Sequence, residues 1–245
     1  MAGGDYLQYS LVEAEFAVSL SERYRHPASL PPRLPVFALR GAILLPRATL
    51  PLNVFEPRYL KMLDDVMAGA RVLGILQPQS RGQQEDEESP EGKSYGLQRV
   101  GCAGRVTSYQ ELDDGRLVIT VTGVARFECA GEAETDEPYR TMSVSYDKFA
   151  SDFTHGLGEE RVDRSNLLRV LKLYLEANQL KTDWNAVQRA SSEFLINALS
   201  VMAPYGPEEK QALLEAKDLK SRAEVLVALA EMELASRGGN GTTLQ

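Results

Sequence analysis

The hydrophobic period of this chain changes once, near residues 152–164. Before that point, apolar residues come in short runs separated by proline and glycine, as in Val36-Phe37-Ala38-Leu39 and Ile43-Leu44-Leu45. Runs of this length, bounded in this way, read as buried strands. Beyond that point, Leu167, Val170, Leu171 and Tyr174 recur at helical spacing, and so do Val187, Ala190, Phe194, Leu195, Ala198, Leu199 and Met202. A chain patterned this way folds as strands followed by helices, which defines an α+β protein.

Within the first regime the punctuation is specific. Pro46 and Pro51 cannot donate to a ladder, so they belong at strand ends, edges or bulges. Pro57 suits the first turn of a helix, where its missing N–H is not needed. Tyr59, Leu60, Met62, Leu63, Val66 and Met67 give that helix an apolar face, and Gly69 ends it. Val72 to Leu76 and Leu97 to Tyr109 read as strands. Asp113-Asp114-Gly115 reads as a hairpin turn leading into alternating Leu117, Ile119 and Val121. Gly101, Gly104 and Gly123 mark bulges or bends, and Tyr139 to Phe149 reads as a last strand. In the second regime Asp183 is placed as an N-cap, and Gly206-Pro207 as a cap and first-turn pair. Leu219, Ala223, Leu226 and Ala230 line a final helix. Four amphipathic segments with short links predict a helical bundle.

The expected divisions are an N-terminal extension at 1–30, a β domain at 31–152, a helical bundle at 160–236 and a disordered tail at 237–245. Leu7, Leu11, Val12 and Phe16 could form one stripe of a short helix within the extension. Residues 78–94 are acidic at their centre and read as a mobile loop.

Charge and composition exclude several classes of function. The formal net charge of −8 disfavours a protein that tracks nucleic-acid phosphates. Two cysteines, Cys102 and Cys129, are too few for a disulfide framework, and both are expected as buried free thiols. No apolar run is long enough to cross a bilayer. Asp5, Glu13 and Glu15 interrupt the stretch that would have to serve as a secretion signal, so a cytoplasmic location is expected.

The motifs of catalysis are incomplete. Gly92-Lys93-Ser94 ends like a phosphate-binding loop, but the pattern needs glycine where Glu87 stands. His26 and His155 lie far apart, with no metal-ligand spacing between them, so no metal site is expected. No nucleophile elbow occurs. Asp64-Asp65 falls on a helix and Asp113-Asp114 in a turn, where paired acids are usually solvated. No catalytic residue and no cofactor is assigned.

The segment Phe55-Glu56-Pro57-Arg58-Tyr59 supports two readings. As a binding site, its aromatics and Arg58 could touch a client peptide. As scaffold, Glu56 could cap the helix, Arg58 could pair with a neighbouring acid, and Phe55 and Tyr59 could pack. Phe55, Glu56, Arg58 and Tyr59 are the candidate polypeptide-binding residues.

Six segments, in order, resemble one known family. They are Leu34-Pro35-Val36-Phe37, Leu44-Leu45-Pro46, Leu50-Pro51-Leu52, Phe55-Glu56-Pro57-Arg58-Tyr59, Val100-Gly101-Cys102-Ala103-Gly104-Arg105-Val106 and Gly123-Val124-Ala125-Arg126-Phe127. Together they are similar to the N-terminal, substrate-binding domain of Lon protease, in the manner of a stand-alone bacterial member. The resemblance implies a PUA-like, β-barrel-type domain followed by a small helical domain. It also implies capture of exposed apolar segments of other proteins, or an adaptor role alongside proteolysis machinery. ATP hydrolysis and Ser–Lys peptide hydrolysis belong to later Lon domains, so no enzyme activity is expected. Two rival functions remain: RNA binding, which PUA-like folds often serve, and an unrecognised small-molecule enzyme.

Overall fold

The computed structural model describes residues 23–79, 96–178 and 182–239, with side chains to 236. The expectations for residues 1–22, for most of the acidic stretch 78–94 and for 240–245 lie outside the described residues.

Among the described residues the six strands are β1 (Arg33–Ala38), β2 (Thr49–Val54), β3 (Val72–Leu76), β4 (Val100–Glu111), β5 (Leu117–Ala133) and β6 (Thr141–Ser145). The first helix, α1 (Pro57–Ala68), lies between β2 and β3. The sheet order is β2-β5-β4-β3-β1-β6, and β5 also pairs with β6. The pairings therefore run from β5 through β4, β3, β1 and β6 and back to β5, with β2 added outside. β1 and β3 are parallel, and the other ladders are antiparallel.

One strand can serve three neighbours because β5 is 17 residues long and its ladders are bulged. Register shifts against β4 fall between Ala103 and Gly104 and between Val106 and Ser108. Each extra residue bends the strand and raises its twist. At the β2 entrance the Arg47 N–H donates to Gly123 O at 2.8 Å, and the Gly123 N–H donates to Ala48 O at 2.9 Å. Two residues thus oppose one, with Arg47 left-handed at φ 65. A Cβ on Gly123 would lie 2.0 Å from the Leu45 carbonyl oxygen, so only glycine allows that approach.

Both faces of this sheet are covered. β3 is buried at all five positions because its neighbours alternate between two cores. Leu34, Val36, Val72, Leu76, Ala103, Ala125, Phe127, Met142 and Val144 pack on one side. Phe37, Leu73, Ile75, Cys102, Ile119 and Val121 pack on the other, in a cluster shared with Met62 and Leu63 of α1.

Five further helices follow: α2 (Arg164–Ala177), α3 (Trp184–Arg189), α4 (Ser192–Met202), α5 (Pro207–Glu215) and α6 (Leu219–Gly239). Their Leu167, Ile196, Val201, Leu213, Leu214, Ala223 and Leu226 belong to the same cluster as Phe37 and Met62. One apolar core therefore joins the strands to the helices. Polar side chains bind the same junction. Arg126 donates to Asp152 through Nε and Nη2, both at 2.8 Å, and to the Leu214 and Ala216 carbonyls at the end of α5. Gln77 donates to Pro207 O at 3.0 Å, and Gln211 donates to Val100 O at 3.2 Å.

Several sequence expectations are corrected. Ile43-Leu44-Leu45 is buried but is not a strand, because these residues fill the core beneath Gly123 without pairing. The Tyr139–Phe149 segment is a strand only over Thr141–Ser145; a 3-10 stretch, Asp147–Phe153, follows and places Asp152 against Arg126. The run from Val187 to Met202 is two helices, so among the described residues five α-helices follow α1, not four. Ser191 interrupts it by accepting from the Phe194 N–H as the N-cap of α4. α4 is also not one-sided: Ile196, Asn197, Ser200 and Val201 are buried, while Met202 is exposed. Cys129 is only partly buried, unlike Cys102. α6 continues as far as Gly239, into the expected tail.

Asp183 caps α3, and Gly206-Pro207 opens α5, as expected. The hairpin turn falls where it was read, with Gly115 at φ 79. Among the described residues no helix is long and apolar enough to cross a membrane.

Candidate functional site

The four candidate residues sit where β2 ends and α1 begins. Phe55 is 63% exposed, an unusual position for a phenylalanine that follows the buried Val54. Glu56 occupies the N-cap position of α1 but makes no side-chain cap bond. It accepts instead from Arg58 Nε at 2.9 Å and lies 2.6 Å from Arg58 Nη2. Arg58 in turn lies over the Tyr59 ring, 4.7 Å from its centroid. Tyr59 is buried, 4.6 Å from the Phe37 ring centroid, and its hydroxyl accepts from the Ala38 N–H. The scaffold reading thus holds for Tyr59 and for the Arg58 ion pair, fails for a capping Glu56, and fails for a packed Phe55.

The structure adds residues that the sequence reading had placed only as strand or helix. Antiparallel partners point to the same face, so register fixes what lies beside the last residues of β2. Leu52, Ile119 and Tyr109 form one row across β2, β5 and β4; Val54, Leu117 and Glu111 form the next. In each row the β5 residue is buried and the β4 residue is exposed. The end of β4 therefore overhangs the core. Burial raises the Tyr109 phenol pKa, and the nearby carboxylates of Asp64 on α1 and Glu111 raise it further. Leu50, Leu52, Leu60 and Met67 are half-buried on the same cluster. Tyr109 thus extends past half-buried aliphatics of the shared core, while Phe55 follows the end of the β2 ladder at Val54. The period-2 alternation of β4 marked the direction of Tyr109, but only pairing shows that it passes the edge of the core.

The opposite flank of α1 is closed by polar bonds. Asp65 accepts from Lys61 at 2.5 Å and from the Tyr139 hydroxyl at 2.8 Å, and Lys61 also meets Glu137 at 3.2 Å. β2 is an edge strand with Pro51 at its centre, an obstacle to pairing with an added strand.

The remaining reactive groups are engaged in the scaffold. Burial pushes the Cys102 thiol far above its ordinary range and the Cys129 thiol up to about 11. Among the described residues no group of three His, Cys, Asp or Glu could hold a metal ion. His26 accepts from the Ala28 N–H in a 3-10 turn.

A family model described as the ATP-dependent protease La (LON) substrate-binding domain matches residues 33–231. This chain belongs to the Lon substrate-binding domain family. It is 26% identical over 211 residues to a Lon protease of Cytophaga hutchinsonii, covering 83% of this chain and 24% of that protein. It is 25% identical over 206 residues to Lon protease 2 of Myxococcus xanthus, covering 82% of this chain and 24% of that protein. The chain thus spans about a quarter of the length of these Lon relatives. Among solved structures, it is similar to a Lon N-terminal domain protein from Xanthomonas campestris, with a TM-score of 0.55 and 21% identity over 80% of this chain and 97% of that one. It is also similar to the N-terminal domain of a Mycobacterium avium complex Lon protease, with a TM-score of 0.57 and 18% identity over 81% and 98%. At these identities the structural likeness establishes the α+β fold of the Lon domain.

Proposed function

We propose that this Lon-family domain is a non-catalytic polypeptide-recognition module, and that it captures exposed apolar segments of other proteins on the surface around Phe55. The observation that carries the reading is the exposed Phe55, in a segment that matches the substrate-binding family. Exposed aromatics over a rigid floor supply apolar area with little entropy to lose on binding. Glu56 and Arg58 would border the surface, and Tyr59 would hold its floor. Pro51 favours a surface contact over strand addition at the β2 edge.

The same reading takes residues 31–152 as a PUA-like, barrel-type unit and 160–236 as a helical bundle. The return of the strand pairings to β5 supports the first, and the packing of α2, α4 and α5 against α6 supports the second. It gives the protein a cytoplasmic location and a role beside proteolysis machinery, as a recognition or adaptor element.

The test is fluorescence anisotropy of the full chain with a labelled unfolded protein, the same protein folded, and an RNA oligomer, at low and moderate salt. Micromolar binding of the unfolded form that survives moderate salt is expected. Salt-sensitive RNA binding without unfolded-protein binding would replace this reading with the nucleic-acid one.

A further inference from the structure

We infer that Arg222, in the interior where the helices meet the strands, holds a small inorganic anion of the halide class against its Nη2 edge. Arg222 lies on α6 and is 3% exposed. Its Nε donates to Leu213 O at 2.9 Å, and its Nη1 donates to Asn197 Oδ1 at 2.8 Å. Its Nη2 is buried and meets no acceptor among the described residues. Its charge is uncompensated as well. Three guanidinium groups, of Arg47, Arg126 and Arg222, meet two carboxylates, of Asp152 and Glu193, with each side chain at most 10% exposed. Arg126 takes both oxygens of Asp152. Glu193 accepts from Arg47 and from the Gly156 N–H. Neither carboxylate forms an ion pair with Arg222, which is left as the odd cation.

A guanidinium does not shed its proton in a protein. Burial and the charge of Arg126 lower the Arg222 pKa, but only to about 9, so the group is charged at neutral pH. A water molecule would satisfy the free N–H groups and leave the charge uncompensated, whereas an anion answers both. Asn197 fixes the place of the site. It accepts from Arg222 and donates through Nδ2 to Pro46 O at 3.0 Å, so it holds the α6 guanidinium against the turn before β2. The next residue in that turn is Arg47, whose Nε is a second buried donor with no acceptor among the described residues. The enclosure favours a monatomic anion over a bulky oxyanion, and chloride or bromide over the more strongly hydrated fluoride, which loses more on leaving water. Bound there, the anion joins α4, α6 and the turn before β2, and so stabilises the union of strands and helices.

The experiment has two arms, both on the full chain. In the first, urea denaturation is followed in sodium chloride, bromide and fluoride at equal ionic strength, so that screening of surface charge is common to all three. A ligand that binds only the folded state stabilises it with the logarithm of its concentration. The wild-type urea midpoint should therefore climb with chloride and bromide relative to fluoride, and Arg222→Met should lose that difference. The same halide difference in both proteins, or none in the wild type, would overturn the inference. The second arm needs no variant, and it decides the matter if Arg222→Met does not fold. Crystals of the wild-type chain are grown or soaked in sodium bromide, and bromide is located by anomalous scattering. A buried bromide in hydrogen-bonding contact with Arg222 Nη2 is expected. Bromide confined to the surface, with a water molecule or a repositioned side chain against Nη2, would overturn the site.

Discussion

At the residue scale, Phe55 and Tyr59 separate binding from folding within one short segment. Phe55→Ser removes an exposed side chain, so stability should change by less than about 0.5 kcal/mol. Binding of an unfolded client should weaken at least about fivefold if Phe55 anchors it. Tyr59→Ala should instead cost roughly 3–5 kcal/mol, because its ring packs on Phe37 in the core. Urea denaturation and anisotropy on the same two variants check both outcomes. Lys210 gives a pH signature. The residue is 3% exposed, and its ammonium donates to the Ser200 and Val201 carbonyls at the end of α4. Burial lowers its pKa from 10.5 to about 8. Between those values the unfolded chain binds the proton more readily than the folded one, so stability rises with pH across that window. Below pH 8 both states are charged and the full burial cost remains. Relative to Lys210→Met, the wild-type chain should therefore gain stability from pH 8 to 10.5, by at most about 3 kcal/mol. Urea titrations of both proteins at several pH values would show parallel curves if the prediction is wrong.

At the scale of elements, the decisive joints are places where an irregularity holds two elements together. Gly123 opposes both Arg47 and Ala48 and lies under the Leu45 carbonyl. Gly123→Ala should destabilise by about 3 kcal/mol or more, since a backbone oxygen has no rotamer by which to move away. Gly131→Ala, with open space around its added Cβ, is the control and should cost little. A Gly123→Ala protein with an unchanged urea midpoint would refute the account of this bulge. Arg126 and Asp152 join β5 to the 3-10 stretch and to the end of α5. Burial opposes ionisation of Asp152, but the hydrogen bonds and charge of Arg126 prevail and hold its pKa below the ordinary carboxylate value of 3.8. The stability it contributes is complete above that value and is lost as pH falls through the lowered pKa. Arg126→Met alone should cost roughly 3–5 kcal/mol, because it leaves a buried carboxylate unpaired. Combined with Asp152→Leu the loss should be smaller than the sum of the two single losses, and a double-mutant cycle measures the difference.

At the scale of the whole molecule, strands and helices share one apolar core, with Phe37 and Ile119 in the same cluster as Ile196 and Leu226. Unfolding should therefore be a single transition, with far-UV circular dichroism and the fluorescence of Trp184 on α3 changing together in urea. Two separated transitions would instead make the helical part an independent unit.

The hydrophobic period, the positions of proline and the capping residues by themselves determined the class of fold, both ends of α1, and the starts of α3 and α5. Each of these depends on neighbours within a few residues. Family membership was likewise legible in six short segments, because tight turns and bulges restrict which residues can occupy them. Tertiary structure alone decided the rest. The burial of Arg126 depends on a carboxylate 26 residues away and on carbonyls 88 and 90 residues away. The break at Ser191 is local, but the burial of α4 on several faces comes from elements packed around it. Phe55 comes from the link between β2 and α1, and Tyr109 from the end of β4. The exposure of Tyr109 follows from register and from the overhang of β4, long-range pairings that no local pattern encodes.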